Sequence, residues 1–255
     1  MTEHHNKIEF FGIKIDNLTM DETLAVIEKN IDKLTPLHHI VVNAGKIVAM
    51  QSDKRLREDV MNADLINADG QAVVWASKFL NKPLKERVAG IDLMQNLVKK
   101  AFEKNYKIFF LGATEAVVTK VIDVYSKQYS PDIIAGYRNG YFTKEEEPVI
   151  AQQIADSGAN ILFVAISSPT KENFLNTYKD ILKKVSFVMG VGGSFDVVAG
   201  KIKRAPLWMQ NYGLEWFYRL IQEPKRMWKR YLIGNTKFII LVFKEKIKSL
   251  KYTKD

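Results

Sequence analysis

Four short apolar segments recur along the chain: His39-Ile-Val-Val-Asn43, Lys107-Ile-Phe-Phe-Leu-Gly112, Asn160-Ile-Leu-Phe-Val-Ala-Ile166 and Ser186-Phe-Val-Met189. Their apolar positions are consecutive rather than alternating. A strand of that kind is buried on both faces, which requires helices above and below a mostly parallel sheet. The intervals supply the helices. Thr19-Met-Asp-Glu22 is a capping box ahead of a periodic segment to about Leu34. Helical patterns follow over Gly70–Leu80, Ile91–Lys104, the stretch after Gly112 to about Gln128, and between Ile166 and Ser186. Thr143-Lys-Glu-Glu146 is a second capping box, read as opening a helix to Asp156. Ala63–Asp69 is a shorter strand candidate and Asp132–Ala135 a short extended piece. The expected fold is α/β, a mostly parallel Rossmann-like sheet with helices on both faces, over residues 1–200.

Charge separates the remainder. Residues 201–255 hold 14 Lys+Arg against 4 Asp+Glu, whereas residues 1–200 hold 24 against 25. A near-neutral body is followed by a strongly basic appendage, suited to an anionic partner. From Ala205 onward the appendage reads as two or three helices broken at Pro224. It carries Trp208, Trp216 and Trp228 with Tyr212, Tyr218 and Tyr231, interleaved with Arg219, Lys225, Arg226, Lys229 and Arg230. Such aromatics pack against a body, sit in a membrane interface, or stack on single-stranded nucleic acid. Composition does not separate the three.

With no cysteine, disulfides and thiolate metal sites are excluded. The histidines form two adjacent pairs, His4-His5 and His38-His39, neither spaced as a zinc site. The second pair begins a strand and is read as structural or exposed. No apolar run is long enough for a membrane span, and the first residues, MTEHHNKIEF, lack a signal core. A cytosolic protein is expected.

Ligands of open α/β sheets bind beyond the carboxyl ends of the strands. Those ends are Asn43-Ala-Gly45, Asp69-Gly-Gln71, Gly112-Ala-Thr114, Ser167-Ser-Pro169 and Gly190-Val-Gly-Gly-Ser194. Gly192 and Gly193 permit close backbone approach to an anion, or make an ordinary tight turn. Phe195 stands where a dinucleotide fingerprint has its third glycine, and no Walker A loop is present. Asp69 suits either a general base or the N-cap of the helix after it. No D-x-D motif occurs, so no metal cofactor is expected. Arg87, Lys201, Lys203, Arg204 and the 219–230 cations are then the groups available to neutralise a leaving group.

Three stretches together resemble one family: NADLINADGQAVVWASKFLNKPLKERVAGIDLM (62–94), ISSPTKENF (166–174) and GVGGSFDVVAGKIKRAPLWMQNYGLEWFYRLIQEPKRMWKRYLIGN (190–235). They look like the WecG/TagA/CpsF glycosyltransferases of bacterial surface polysaccharide and teichoic acid synthesis, over roughly Val41 to Phe238. The resemblance implies an inverting, metal-independent transferase. It would move a sugar, N-acetylmannosamine or a relative, from a UDP-sugar to a polyprenyl-diphosphate-linked sugar at the cytoplasmic face of the membrane. It implies Asp69 as catalytic base and Arg87 as a functional partner. Tyr141 would lie near the uracil, with Gly193 and Asp196 against the nucleotide. The appendage would engage an anionic membrane and bring Arg219, Arg226 or Arg230 toward a diphosphate. Asn43, Gln71, Gly112, Lys171 and Gly192 complete the expected substrate-binding set.

Two positions depart from the family pattern. Val41 stands where many members have Thr, and Lys171 where many have Gln, both at strand ends near the expected donor sugar. Lys171 would meet an acidic sugar, a diphosphate or solvent. Two rival classes remain at this stage: a non-catalytic UDP-sugar or polyprenol-binding subunit, and a nucleic-acid-binding protein using the appendage. The expectation is that no nucleic acid is bound. Self-association into a homo-oligomer would mask apolar appendage faces away from a membrane.

Overall fold

The computed structural model describes residues 6–252, apart from the side chains of Phe10, Arg230, Lys251 and Tyr252. The His4-His5 pair lies outside the described residues. An antiparallel hairpin, β1 (Lys7–Phe10) and β2 (Ile13–Asp16), comes first. There follow α1 (Met20–Asp32), β3 (Leu37–Val42), α2 (Ala44–Ala49), α3 (Lys54–Met61), β4 (Leu65–Ala68), α4 (Gln71–Phe79) and α5 (Gly90–Lys104). Next are β5 (Ile108–Gly112), α6 (Glu115–Gln128), β6 (Ile134–Arg138), α7 (Glu147–Asp156), β7 (Ile161–Ala165), α8 (Thr170–Thr177), α9 (Lys179–Leu182) and β8 (Phe187–Gly190). The chain ends with α10 (Ser194–Val198), α11 (Leu207–Asn211), α12 (Glu215–Gln222) and α13 (Pro224–Tyr252).

The main sheet has six strands in the order β4-β3-β8-β7-β5-β6, every pairing parallel. Its two faces divide by alternation along each strand. Ile161, Phe163 and Ala165 of β7 pack with Leu97, Phe110 and Phe195 on one face. Leu162 and Val164 pack with Ile154 and Phe174 on the other. Burial on both faces explains why these strands read as unbroken apolar runs.

The structure departs from the sequence reading at several elements. The hairpin is unexpected; its Ile13 and Ile15 are buried in the core. Asp16 accepts a 2.8 Å hydrogen bond from the Ile66 N–H, which protects the outer edge of β4. The second capping box opens a turn instead of a helix. Thr143 N–H donates to the Glu146 carboxylate, but α7 begins only at Glu147. Pro148 is the reason: it belongs in a first turn, where its missing N–H costs nothing. The 132–135 piece is a 3₁₀ turn over Pro131–Ile133 followed by β6, which runs on to Arg138.

The appendage comprises three helices, with Pro224 opening the last. It packs on the body through Phe238 and Val242 of α13, which enter the core beside Ile47 and Ile66. Phe238 meets Phe11 with ring centroids 5.7 Å apart. The tryptophans do not provide this packing. Trp208, Trp216 and Trp228 all remain exposed.

Candidate active site

The site is built on the carboxyl ends of the strands. Beyond β4, the Asp69 N–H donates to the Val42 carbonyl at 2.8 Å, so the ladder continues one residue past the strand. Gly70 then turns the chain with φ 148°, a value suited to glycine, and caps α4 without a side-chain hydrogen bond. Asp69 is therefore not the cap of the helix after it. Its carboxylate instead lies against the start of α5, where a Cβ added to Gly90 would be 3.6 Å from Asp69 Oδ2. The loop carrying Arg87 lies alongside, held by Val88 N–H to the Ala68 carbonyl at 3.0 Å. Arg87 Nε stands 3.9 Å from Asp69 Oδ1.

Asp69 and Arg87 begin a chain of alternating charges. Arg87 Nη2 donates to Glu215 Oε2. Glu215 Oε1 accepts from Arg204 Nε at 3.3 Å, and Arg204 forks onto the carboxylate of Asp92, one arm at 2.7 Å. Burial pushes the Asp69 carboxyl above the usual carboxylate range; Arg87 opposes this and Glu215 adds to it. The Asp92 carboxylate raises Arg204.

A second cluster lies past β3 and β7. Asn43 caps α2, its Oδ1 accepting from the Lys46 N–H at 3.0 Å. Lys46 Nζ crosses to Glu172 Oε1 at 2.8 Å, and Lys171 Nζ reaches the same oxygen at 3.1 Å. Burial pushes Glu172 up, but the two lysines outweigh it and hold the carboxyl down at about 2. Lys171 does not point into solvent. It crosses the face of Gly190, where an added Cβ would come within 2.6 Å of its Cε. Val41, Lys46, Lys171 and Glu172 line a small cavity shared with His38. His38 and His39 are buried and structural, which removes the exposed reading; His39 Nε2 bonds Asn67 Oδ1 at 2.9 Å.

The glycine turn follows β8. Val191 N–H donates to the Val164 carbonyl at 2.9 Å, and an added Cβ on Gly192 would meet nothing within 4 Å. The Arg219 guanidinium lies against Gly193, where a Cβ would be 2.9 Å from Nη2. Arg219 and Arg226 both pair with Glu223, at 3.6 and 2.9 Å. Asp196 pairs with Lys201 at 3.4 Å. The Arg230 side chain lies outside the described residues.

On the other half of the sheet, Gly112 has φ 129°, and a Cβ there would strike the Ala165 backbone at 2.6 Å. Gly140 packs on Gly112, leaving the next residue, Tyr141, 75% exposed at this end of the sheet. Gln71 opens α4 beneath Gly213 of the appendage, where a Cβ would lie 2.7 Å from its own Cβ.

The structure thus joins Asp69 to Arg87 and Gly193 to Arg219. Among the described residues it ties Arg226 to Glu223 of the appendage. Sequence reasoning missed Glu215, Asp92, Lys46 and Glu172. One signal was available for the first: the appendage contains only four acidic residues, Glu215, Glu223, Glu245 and Asp255. Among the described residues, no group of three or more His, Asp or Glu side chains converges as a metal site would require.

Comparison with known proteins adds an independent line. The family model described as "Glycosyl transferase WecG/TagA/CpsF family" matches residues 8–252. A Bacillus spizizenii protein named N-acetylglucosaminyldiphosphoundecaprenol N-acetyl-beta-D-mannosaminyltransferase is 37% identical over 213 residues, 83% of this chain and 81% of that protein. A Bacillus subtilis protein of the same name is 37% identical over 204 residues, 80% of this chain and 78% of the relative.

Proposed function

The chain belongs to the WecG/TagA/CpsF family of glycosyl transferases, and from that premise we propose that it moves a sugar from a UDP-sugar to a polyprenyl-diphosphate-linked sugar, with inversion. The observation that carries this reading is the placement of Asp69, a carboxylate raised by burial at a strand's carboxyl end, with a guanidinium beside it.

In the proposed reaction Asp69 takes the proton of the acceptor hydroxyl. The freed oxygen attacks the anomeric carbon from the face opposite the nucleotide. The bond from that carbon to the UDP oxygen breaks, and UDP departs with the electron pair. Charge developing on UDP is met by Arg87, Arg219 and the N–H groups of Gly192 and Gly193, with no metal required. Gly192 lets the backbone approach the diphosphate, and the exposed ring of Tyr141 is available to the uracil. The relatives' names support N-acetylmannosamine as donor and an undecaprenyl-diphospho-N-acetylglucosamine as acceptor.

The acceptor's lipid places the proposed work at a membrane surface, on its cytoplasmic side. Among the described residues no helix is long and apolar enough to cross a membrane. A peripheral mode is supported by α13, which exposes Trp228, Leu232, Ile239 and Phe243 at helical spacing with Lys237, Lys244 and Lys248 also exposed. Each such cation contributes about 1 kcal/mol near an anionic leaflet.

The test is a screen of UDP-sugars for UDP release with a short-chain polyprenyl-diphospho-N-acetylglucosamine acceptor. Release with one donor, and an inverted anomeric product, is expected. No release with any donor, in a chain that also fails to bind UDP, would overturn the reading.

A further inference from the structure

Glu215 takes part in no step of the proposed transfer, yet it is bonded to a residue that does. Nε and Nη2 of Arg87 lie along one edge of the guanidinium, the edge that can fork onto a single carboxylate. Here that edge is divided. Nη2 donates to Glu215 Oε2, whereas Nε stands 3.9 Å from Asp69 Oδ1, beyond hydrogen-bond reach. We infer that Glu215 is a positioning residue for the proposed transfer: it takes one arm of the Arg87 fork and so keeps Arg87 from closing onto Asp69 as an ion pair that would disable the base. The inference rests on the reading of the chain as a transferase with Asp69 as base.

Three observations support it. First, Arg87 Nε is sealed from solvent without a hydrogen-bond partner. A buried donor left unbonded is costly, so a guanidinium free to turn would close the remaining gap to Asp69. Among the described residues, Glu215 is the group to which the guanidinium is hydrogen-bonded.

Second, Glu215 is anchored against that pull. Its other oxygen accepts from Arg204 Nε at 3.3 Å, and Arg204 forks onto Asp92 in the first turn of α5. Two residues before Glu215, Gly213 lies on Gln71 and Trp75 of α4, so closely that an added Cβ would be 2.7 Å from the Gln71 Cβ. The carboxylate is thus fixed to the body although α12 itself has no buried residue.

Third, the charges around Asp69 are balanced for a base. Arg87 and Lys46 favour its ionised form, and Glu215 opposes them. Closure of Arg87 would remove that opposition and add a charge-assisted hydrogen bond. The carboxylate would then ionise readily but accept a proton poorly.

The experiment uses the full chain with Glu215→Ala, which removes the acceptor, and Glu215→Gln, which keeps its shape, each alone and combined with Arg87→Gln. Crystal structures and the rate of UDP release are read. Glu215→Ala is expected to bring an Arg87 nitrogen within about 3 Å of Asp69. It should lower kcat about tenfold, leave the KM for the UDP-sugar near the parent's, and move the acid limb of the rate to lower pH. Glu215→Gln should do the same more weakly, and it carries the comparison should Glu215→Ala fail to fold. In the Arg87→Gln background neither substitution should lower kcat further, since no fork remains to close. A merely structural role predicts an Arg87 that stays where the parent has it, or losses that multiply across the two sites. Either result would overturn the inference. If the parent releases UDP from no donor while Arg87 closes onto Asp69 in Glu215→Ala, the hold of Glu215 on Arg87 stands and the transferase reading falls. If the parent releases UDP and Arg87 does not move in the variant, the transferase reading stands and the positioning falls. If UDP is not released and Arg87 does not move, both fall.

Discussion

Asp69 and Arg87 face each other across 3.9 Å, one at the end of a strand and the other in a loop that returns beside that strand. Eighteen positions of sequence separate them, and the Val88–Ala68 backbone hydrogen bond closes the gap. The base and its counter-charge are thus positioned by one local device.

Asp69→Asn should cut turnover by about 10²–10⁴-fold, the usual contribution of a positioned general base. UDP affinity should stay near normal, since the carboxylate faces the acceptor in the proposed reaction. Initial rates and calorimetric UDP titration check this. Near-normal turnover in the variant would remove Asp69 from the role.

The pH profile should carry the mark of a raised carboxyl. Asp69 acts only when ionised, so the rate falls as pH drops through its pKa. Burial and Glu215 put that fall above the pH where an ordinary aspartate would titrate. Glu215→Gln removes a negative neighbour and should move the acid limb to lower pH. Arg87→Gln removes the opposing cation and should move it higher. Limbs that coincide in all three proteins would dissociate the profile from Asp69.

Two adjacent residues of α13 should have opposite effects. Phe238 is 4% exposed in the core, and Phe238→Ala should cost about 3–5 kcal/mol of stability. Ile239, 54% exposed, should tolerate Ser within about 0.5 kcal/mol yet weaken binding to anionic vesicles. Urea unfolding and vesicle sedimentation separate the two effects. Unchanged sedimentation of Ile239→Ser combined with Leu232→Ser would argue against the membrane face.

Stability itself should fall in mild acid. Burial holds His38 at about 4 and His39 at about 3, whereas the unfolded chain binds those protons near pH 6.5. Below that pH the unfolded state gains protons that the native state refuses. The loss is about 2 kcal/mol per imidazole at pH 5. His39→Gln should therefore lose about 2 kcal/mol less than the parent between pH 7.5 and pH 5, whatever its stability at the start. Parallel slopes in urea titrations would refute the assignment.

Strands buried on both faces were legible in the sequence because they read as unbroken apolar runs. β5, β7 and β8 stand where the apolar runs fall. The hairpin was not, since four-residue strands give alternation too little length to register. Helices α2 and α3 were missed for the same reason, being six and eight residues long. Asp69 and Arg87 were legible through motif resemblance, and their approach to one another is a finding of the structure. Glu215 was missed because its partner on the body, Arg87, lies 128 positions away, and only the scarcity of carboxylates in the appendage marked it. Lys171 was ambiguous because helical spacing does not say which way a cation turns, and here it turns inward to Glu172.

The strand order has a consequence for how the molecule comes into being. Among the described residues β8 is the final strand; it lies between β3 and β7, and no other described strand links the β3–β4 pair to the β5–β6–β7 group. A nascent chain halted before Phe187 holds two half-sheets with bare facing edges, the kind of surface that aggregates and recruits chaperones. The Gly190–Ser194 turn leaves the ribosome immediately after the strand that unites them. Closure of the sheet and creation of the proposed glycine turn are one event in synthesis, and no chain halted before β8 can display that turn.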